Sequence, residues 1–283
     1  SAIGGSFGLI AAFALARMLR LGDLDGVDLS TLEALICGGE RIDAAMLARF
    51  EQAAGGLGCP SSAIVPAYGM AEAALAVSIA GRGGWRRVAS AAGADPLVTC
   101  GSPLAGTEVR VATGEGIGRI EIRTGSLLSG YVGTDQPCPI DADGWFRTGD
   151  IGWLDRGEVV VAGRCDDVLT VRGRNVSALD LEATVARTIV AEGCSTLRPG
   201  GVGVVSGPDG ELVLALERMP AAEPGELRHQ LRRIDAVLRR PHGLRPDRVC
   251  LVESGALPRT TSGKLRRNHL RRQLGDPTAV DLP

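Results

Sequence analysis

A chain of 283 residues is long enough for two domains of ordinary size. Its net charge of −2 argues against nonspecific nucleic-acid binding, which needs a basic surface, and 3% aromatic residues leave little for stacking on bases. With 45% hydrophobic and 23% charged residues the composition is that of a globular protein, and its 40 glycines, about twice the usual share, mark tight turns or close backbone approach to a ligand.

In chain order, residues 6–20 read as a mostly buried helix closed by basic residues. "LEALICGGE" (32–40) reads as a strand running into a glycine turn, and 43–54 as a helix capped by Asp43. "AIVPAYGMAE" (63–72) is a further short apolar strand followed by a glycine-containing loop. Strands alternating with helices predict an α/β layer with parallel strands. From about residue 98 the rhythm changes to short, nearly alternating strands at 107–112, 118–124 and 157–163, a β-rich subdomain. Past Arg164 a strand is expected at 166–173, a helix at 177–190 with Ser177 as its cap, and strands at 201–206 and 211–217 joined by "GPDG". A helix at 226–240 places Leu227, Leu231, Ile234 and Leu238 on one face, and 247–254 is the last strand. This β-α-β-β-α-β order predicts a small α+β domain at 164–283 behind a first domain at 1–163, with the boundary at Arg164 to Asp166. The arginines of 228–240 form a solvated helix face or a docking surface for an acidic partner.

The longest apolar run, 8–16, is far short of the ~20 residues of a membrane span. Seven cysteines without a CxxC pair predict reduced thiols in a cytoplasm, and three histidines away from cysteine exclude a structural zinc site.

Three stretches carry candidate chemistry. "TGDIGWL" (148–154) puts Asp150 in a turn flanked by glycines, where its carboxylate can accept from two vicinal hydroxyls or cap its own backbone. "YGMAE" (68–72) combines a ring able to stack on a base with a carboxylate able to ligate magnesium. "GRCDDVLTVRGRN" (163–175) frames a strand with two Gly-Arg pairs and two adjacent carboxylates, which need solvent or arginines nearby. "LPRTTSGKLRR" (257–267) is not a Walker loop: Pro258 stands where the first glycine belongs, and Leu265 where the magnesium-binding hydroxyl belongs.

Together and in order, these motifs, with "DGVDLSTLEALICGGERI", "PAYGMAEAALAVS" and "LVTCGSPLAGTEVRV", resemble the adenylate-forming superfamily of acyl-CoA synthetases, nonribosomal-peptide adenylation domains and luciferases. "RGRN" and "AYGMAEAALAVS" are most similar to fatty acyl-AMP ligases. The resemblance implies the second half of a large adenylation domain, followed by a small mobile domain. It implies an ATP- and Mg2+-dependent ligase that converts a carboxylic acid to an acyl-adenylate. The acyl group then passes to a phosphopantetheine thiol of an acyl carrier protein, or to CoA. By the same likeness Gly38, Gly39, Glu40, Tyr68, Gly69 and Met70 line the adenine pocket, and Glu72 binds magnesium. Asp150 holds the ribose with Arg164 close by, Asp166 is the hinge, and Lys264 is the catalytic lysine bridging the acyl carboxylate and the α-phosphate.

The family's upstream Thr/Ser/Gly-rich phosphate loop has no counterpart here, so the resemblance implies that a longer chain or a second polypeptide supplies it. Without that loop the alternative is a non-catalytic nucleotide-binding subunit. The segment 81–101 is shorter than the insertion that acyl-AMP ligases carry there, which leaves carrier protein and CoA both open as acceptor.

Overall fold

The structure is a computed structural model that describes residues 5–21, 26–90, 95–112, 116–133, 138–207, 210–220, 224–260 and 263–274. Its internal contacts divide the chain into two units, Ser1–Cys165 and Asp166–Pro283.

The first unit opens on strand β1 (Phe7–Ala11) and helix α1 (Ala12–Leu21). The single helix expected over 6–20 is therefore corrected. Its first half pairs in parallel with β2 (Ala34–Gly38), from Phe7 opposite Ala34 to Ala11 opposite Gly38. Gly8 suits that ladder better than a helix, because a Cβ there would stand 2.8 Å from the Leu35 side chain. Helix α2 (Ala44–Gly55) begins where the side chain of Asp43 accepts from the Met46 amide at 2.7 Å, and it buries Ala44, Leu47, Phe50 and Ala54. Strand β3 (Ile64–Gly69) pairs in parallel with β2, and β4 (Ala76–Ile79) closes the sheet antiparallel to β3, giving the order β1-β2-β3-β4.

Two short strands, β5 (Arg87–Val88) and β6 (Leu97–Val98), precede β7 (Thr107–Val111), β8 (Gly118–Thr124), β9 (Phe146–Asp155) and β10 (Glu158–Arg164). The last four form an antiparallel sheet in the order β10-β9-β8-β7. Residues 100–103 join the two sheets. Cys100 and Gly101 exchange backbone hydrogen bonds with Val159, and Pro103 bridges to Ser78. One core runs through both sheets, containing Leu47, Phe50, Ile64, Tyr68, Val77, Ile120, Ile122, Phe146 and Val159. Each such side chain contributes about 1.5–3 kcal/mol by leaving water.

In the second unit β11 (Val168–Val171) folds back on β12 (Arg174–Ser177) as a hairpin. The strand expected at 166–173 thus pairs with its own continuation and stands apart from the main sheet, which corrects the simple β-α-β-β-α-β order. Helix α3 (Ala178–Ala191) starts at the Ser177 cap, whose hydroxyl accepts from the Asp180 amide. Strands β13 (Leu197–Ser206), β14 (Leu212–Arg218) and β15 (Arg248–Glu253) form the sheet, β14 antiparallel to β13 and parallel to β15. Alternation along β14 separates two cores. Leu212, Leu214 and Leu216 join a cluster with α3 and helix α4 (Pro224–His242). Val213 and Ala215 join a cluster with helix α5 (Arg267–Leu274). Among the described residues no helix is long and apolar enough to cross a membrane.

Candidate active site

Strands β2 and β3 end side by side, and in open α/β sheets ligands bind outside the carboxyl ends of the strands. At the end of β2, Gly38 is required because a Cβ would lie 2.7 Å from the Ala67 carbonyl oxygen, and Gly39 turns the chain with a φ of +81°. Glu40 follows, and its Oε1 accepts from the Phe13 amide at 2.6 Å, in the first turn of α1. A carboxylate there satisfies an amide that the helix leaves unpaired and complements the helix dipole. Glu40 therefore holds α1 to the end of β2, a duty that the sequence reading missed.

At the end of β3 a Cβ on Gly69 would overlap the Leu75 carbonyl oxygen, so glycine is required there too. Met70 donates its amide to Leu75 at 2.7 Å, closing a loop that contains a single 3-10 turn, Ala71–Ala73. Glu72 lies in that turn. Its carbonyl accepts from the Leu128 amide at 2.8 Å and its Oε1 accepts from the Tyr131 hydroxyl at 3.1 Å. Ser126 donates to the Ala73 carbonyl, so the 126–131 segment braces the turn from one side.

Asp150 does not stand in a turn as expected; it sits in the middle of the ten-residue strand β9. Gly149 and Gly152 do not break the strand, since each marks a close neighbour. A Cβ on Gly152 would overlap the Val160 carbonyl, and one on Gly149 would overlap the Arg164 guanidinium. The antiparallel register sets Asp150 opposite Arg164, and Arg164 Nη1 lies 3.4 Å from Asp150 Oδ1. The Tyr68 hydroxyl donates to Asp150 Oδ2 at 2.9 Å. The Asp150 amide donates to Thr148 Oγ1 at 3.1 Å, and that hydroxyl donates in turn to the Ile120 carbonyl at 2.6 Å. The result is a graded arrangement: a buried phenol, a carboxylate 14% exposed and a guanidinium 54% exposed. Burial first, and the Asp150 charge second, raise the Tyr68 phenol well above its ordinary value, so it stays a proton donor. The Tyr68 ring itself belongs to the core, and its visible action is to hold Asp150.

Tyr131 holds the Glu72 carboxylate through its hydroxyl, and burial and that hydrogen bond raise its phenol above the ordinary value. It and Tyr68 are the only tyrosines in the chain. The sequence reading passed over Tyr131 and gave Thr148 no role, although the scarcity of tyrosine and the position of both beside glycines were visible. Among the described residues no group of three His, Cys, Asp or Glu side chains could hold a metal. Glu72 offers one hard oxygen ligand, which fits magnesium held mainly by water and substrate phosphates.

The structure thus brings Tyr68, Asp150 and Arg164 into contact in the first unit, with Gly38, Gly39 and Glu40 at one strand end and Gly69, Met70 and Glu72 at the next. Asp166 and Lys264 belong to the second unit. Asp166 is exposed in the 3-10 turn Cys165–Asp167. Lys264 lies on a tight return of the chain, its amide donating to Thr260 Oγ1 at 3.0 Å and its carbonyl accepting from the Thr260 amide at 2.8 Å. It is the sole lysine among 283 residues.

Residues 9–132 match the AMP-binding enzyme family. The Mycobacterium tuberculosis protein Rv1013 is 34% identical over 280 residues, covering 89% of this chain and 50% of that protein. The long-chain-fatty-acid–AMP ligase FadD26 of Mycobacterium marinum is 30% identical over 302 residues, covering 90% and 50%. A solved structure from a study of fatty acyl-adenylate ligases of E. coli and L. pneumophila superposes with a TM-score of 0.79 at 26% identity, covering 94% of this chain and 52% of that one. The chain spans about half the length of these relatives. Residues 9–132 thus match the AMP-binding enzyme family, and the chain is similar in fold to a fatty acyl-adenylate ligase and in sequence to fatty acyl-AMP ligases.

Proposed function

We propose that this chain is part of an acyl-AMP ligase. The observation that carries this reading is the Tyr68–Asp150–Arg164 constellation beside the carboxyl ends of β2 and β3. Asp150, oriented by the Tyr68 hydroxyl, presents a carboxylate, the acceptor that the vicinal hydroxyls of a ribose call for. Arg164 and the strand-end glycines admit the rest of the nucleotide. Glu72, oriented by Tyr131, takes the magnesium ion that accompanies ATP.

The acid's carboxylate attacks the α-phosphate, and pyrophosphate leaves. Both partners are anions, so a placed cation is needed where their charge accumulates. Lys264 supplies it, and loss of one such group commonly costs ~10²–10³ in rate. The acyl-adenylate then passes its acyl group to a thiol, a phosphopantetheine on a carrier protein. CoA is the second reading, favoured by the shortness of the 81–101 segment and by relatives named for CoA as well as for AMP.

The phosphate loop and much of the acid pocket are assigned to the rest of the fold that the relatives carry. Phe7 and Leu9, 70% and 66% exposed on β1, the edge strand among the described residues, fit this, because exposed large apolar side chains favour further packing. All seven cysteines stand outside disulfides, as thiols of a reducing compartment do. The test is pyrophosphate release from a panel of carboxylic acids with ATP, followed by product analysis with CoA and with a carrier protein. Nucleotide binding without pyrophosphate release, in protein carrying a phosphate loop, would move the assignment to a binding subunit.

A further inference from the structure

Arg267 is a charged side chain that the proposed chemistry does not use, and it is 5% exposed. Its guanidinium meets four acceptors. Nε donates to Asp167 Oδ1 at 2.6 Å and Nη2 to Glu182 Oε2 at 2.9 Å. Nη1 donates to Glu182 Oε1 and, at 3.0 Å, to the Val204 carbonyl. Glu182 is fixed in turn, since its Oε1 accepts from the Val204 amide at 2.8 Å. An apolar side chain would anchor α5 at lower desolvation cost, so what the arginine adds is a planar fork of fixed geometry.

Both ends of that fork matter. Arg267 stands three residues after Lys264 and begins α5. The segment before it is a hairpin: the Arg266 amide donates to the Pro258 carbonyl, the Thr260 amide to the Lys264 carbonyl, and Arg259 bridges Leu265. Arg259 also donates to the carbonyls of Gly263 and Gly200, so the hairpin is held at its turn as well as at its base. At the other end Asp167 closes the 3-10 turn Cys165–Asp167, one residue beyond Asp166, where the second unit starts.

We propose that Arg267 is a positioning residue that clamps the Lys264 hairpin to the turn at Asp166–Asp167. Lysine and hinge segment then move as one rigid piece, and a backbone rotation at Asp166 is transmitted to the ammonium without loss in the intervening chain. The proposal rests on the reading of Lys264 and Asp166 given above, but its test does not depend on turnover.

Asp167→Asn is isosteric, removes the charged acceptor at the hinge end and leaves the Glu182–Arg267 pair in place. Amide hydrogen exchange is followed on the 283-residue chain. The expected result is exchange on the order of tenfold faster at Thr260, Gly263, Lys264 and Arg266, with the β13–β14 amides unchanged, the effect of losing one charge-assisted hydrogen bond. A hairpin that exchanges as in the wild type overturns the proposal. So does faster exchange spread evenly over the unit, which would make Asp167 a general structural residue. In protein that releases pyrophosphate, Asp167→Asn should lower the kcat of adenylate formation about tenfold at unchanged KM for ATP. Transfer from supplied acyl-adenylate should stay at the wild-type rate, and equal losses in both steps would count against the clamp. Wild-type protein that releases no pyrophosphate refutes the ligase reading alone, because the exchange comparison still decides the role of Arg267.

Discussion

The Tyr68→Phe substitution isolates the support of Asp150. The ring stays in the core, so no cavity of consequence opens, and only the phenol's hydrogen bond to Asp150 Oδ2 is lost. Hydrogen bonds to a charged group contribute about 1.5–3 kcal/mol. Asp150 is 14% exposed and water replaces part of the donor, so the lower end applies. At roughly 2–4 °C per kcal/mol for a unit of this size, thermal unfolding should fall by about 3–6 °C. Titration adds a second signature. The Tyr68 phenol is raised in the folded state, so its contribution is complete below the ordinary value of about 10 and is lost as pH rises toward the folded value. The wild type should therefore weaken above pH ~10 by up to ~1.4 kcal/mol per pH unit from this group, and the variant should lack that decline. The deficit of Tyr68→Phe narrows with alkaline pH. Differential scanning calorimetry at pH 7.5 and urea midpoints up to pH 11 read both effects. Unchanged unfolding at neutral pH, or parallel pH profiles, would refute the reasoning that the phenol supports Asp150 from a buried position.

Burial first, with Glu40 behind it, pushes the Cys37 thiol up to about 12, and burial likewise pushes Cys100 up to about 12. Folded protein keeps protons that the unfolded chain loses above pH ~9, so stability should decline between pH 9 and 12, and a flat urea-midpoint profile over that range would contradict this. Gly152→Ala sets a Cβ on the Val160 backbone carbonyl, whereas Gly149→Ala meets only the far end of Arg164. The first should cost several kcal/mol or prevent folding, and the second should leave unfolding within about 1 kcal/mol while weakening AMP affinity, as calorimetry and isothermal titration would show. Lys264→Ala should abolish adenylate formation and spare nucleotide binding; undiminished pyrophosphate release would remove the lysine from the mechanism.

Much of the local structure was legible from residue type and spacing. Asp43 and Ser177 begin helices because their short side chains reach the first amides. The alternation along 212–216 and the apolar stripe of α4 fix which faces are buried, since both periods follow from backbone geometry alone. The motif at 257–267 singled out Lys264 without any fold, because Gly263, at a φ of +85°, and the flanking basic residues are local features. What the sequence by itself determined were thus the helix caps and the periodic faces. Pairing partners were not legible. Residues 7–11 have the look of a helix until β2 lies beside them, and Gly149 and Gly152 have the look of a turn until β10 crosses close enough to forbid a side chain. Tertiary structure alone decided that Tyr68 donates to Asp150 across 82 positions, that Glu40 caps α1, and that Arg267 joins Asp167 to the lysine hairpin across 100. Each is a contact between segments far apart in the chain, and no local energy encodes it. Such contacts exist only once two elements have buried their apolar faces together and left particular polar groups to satisfy one another.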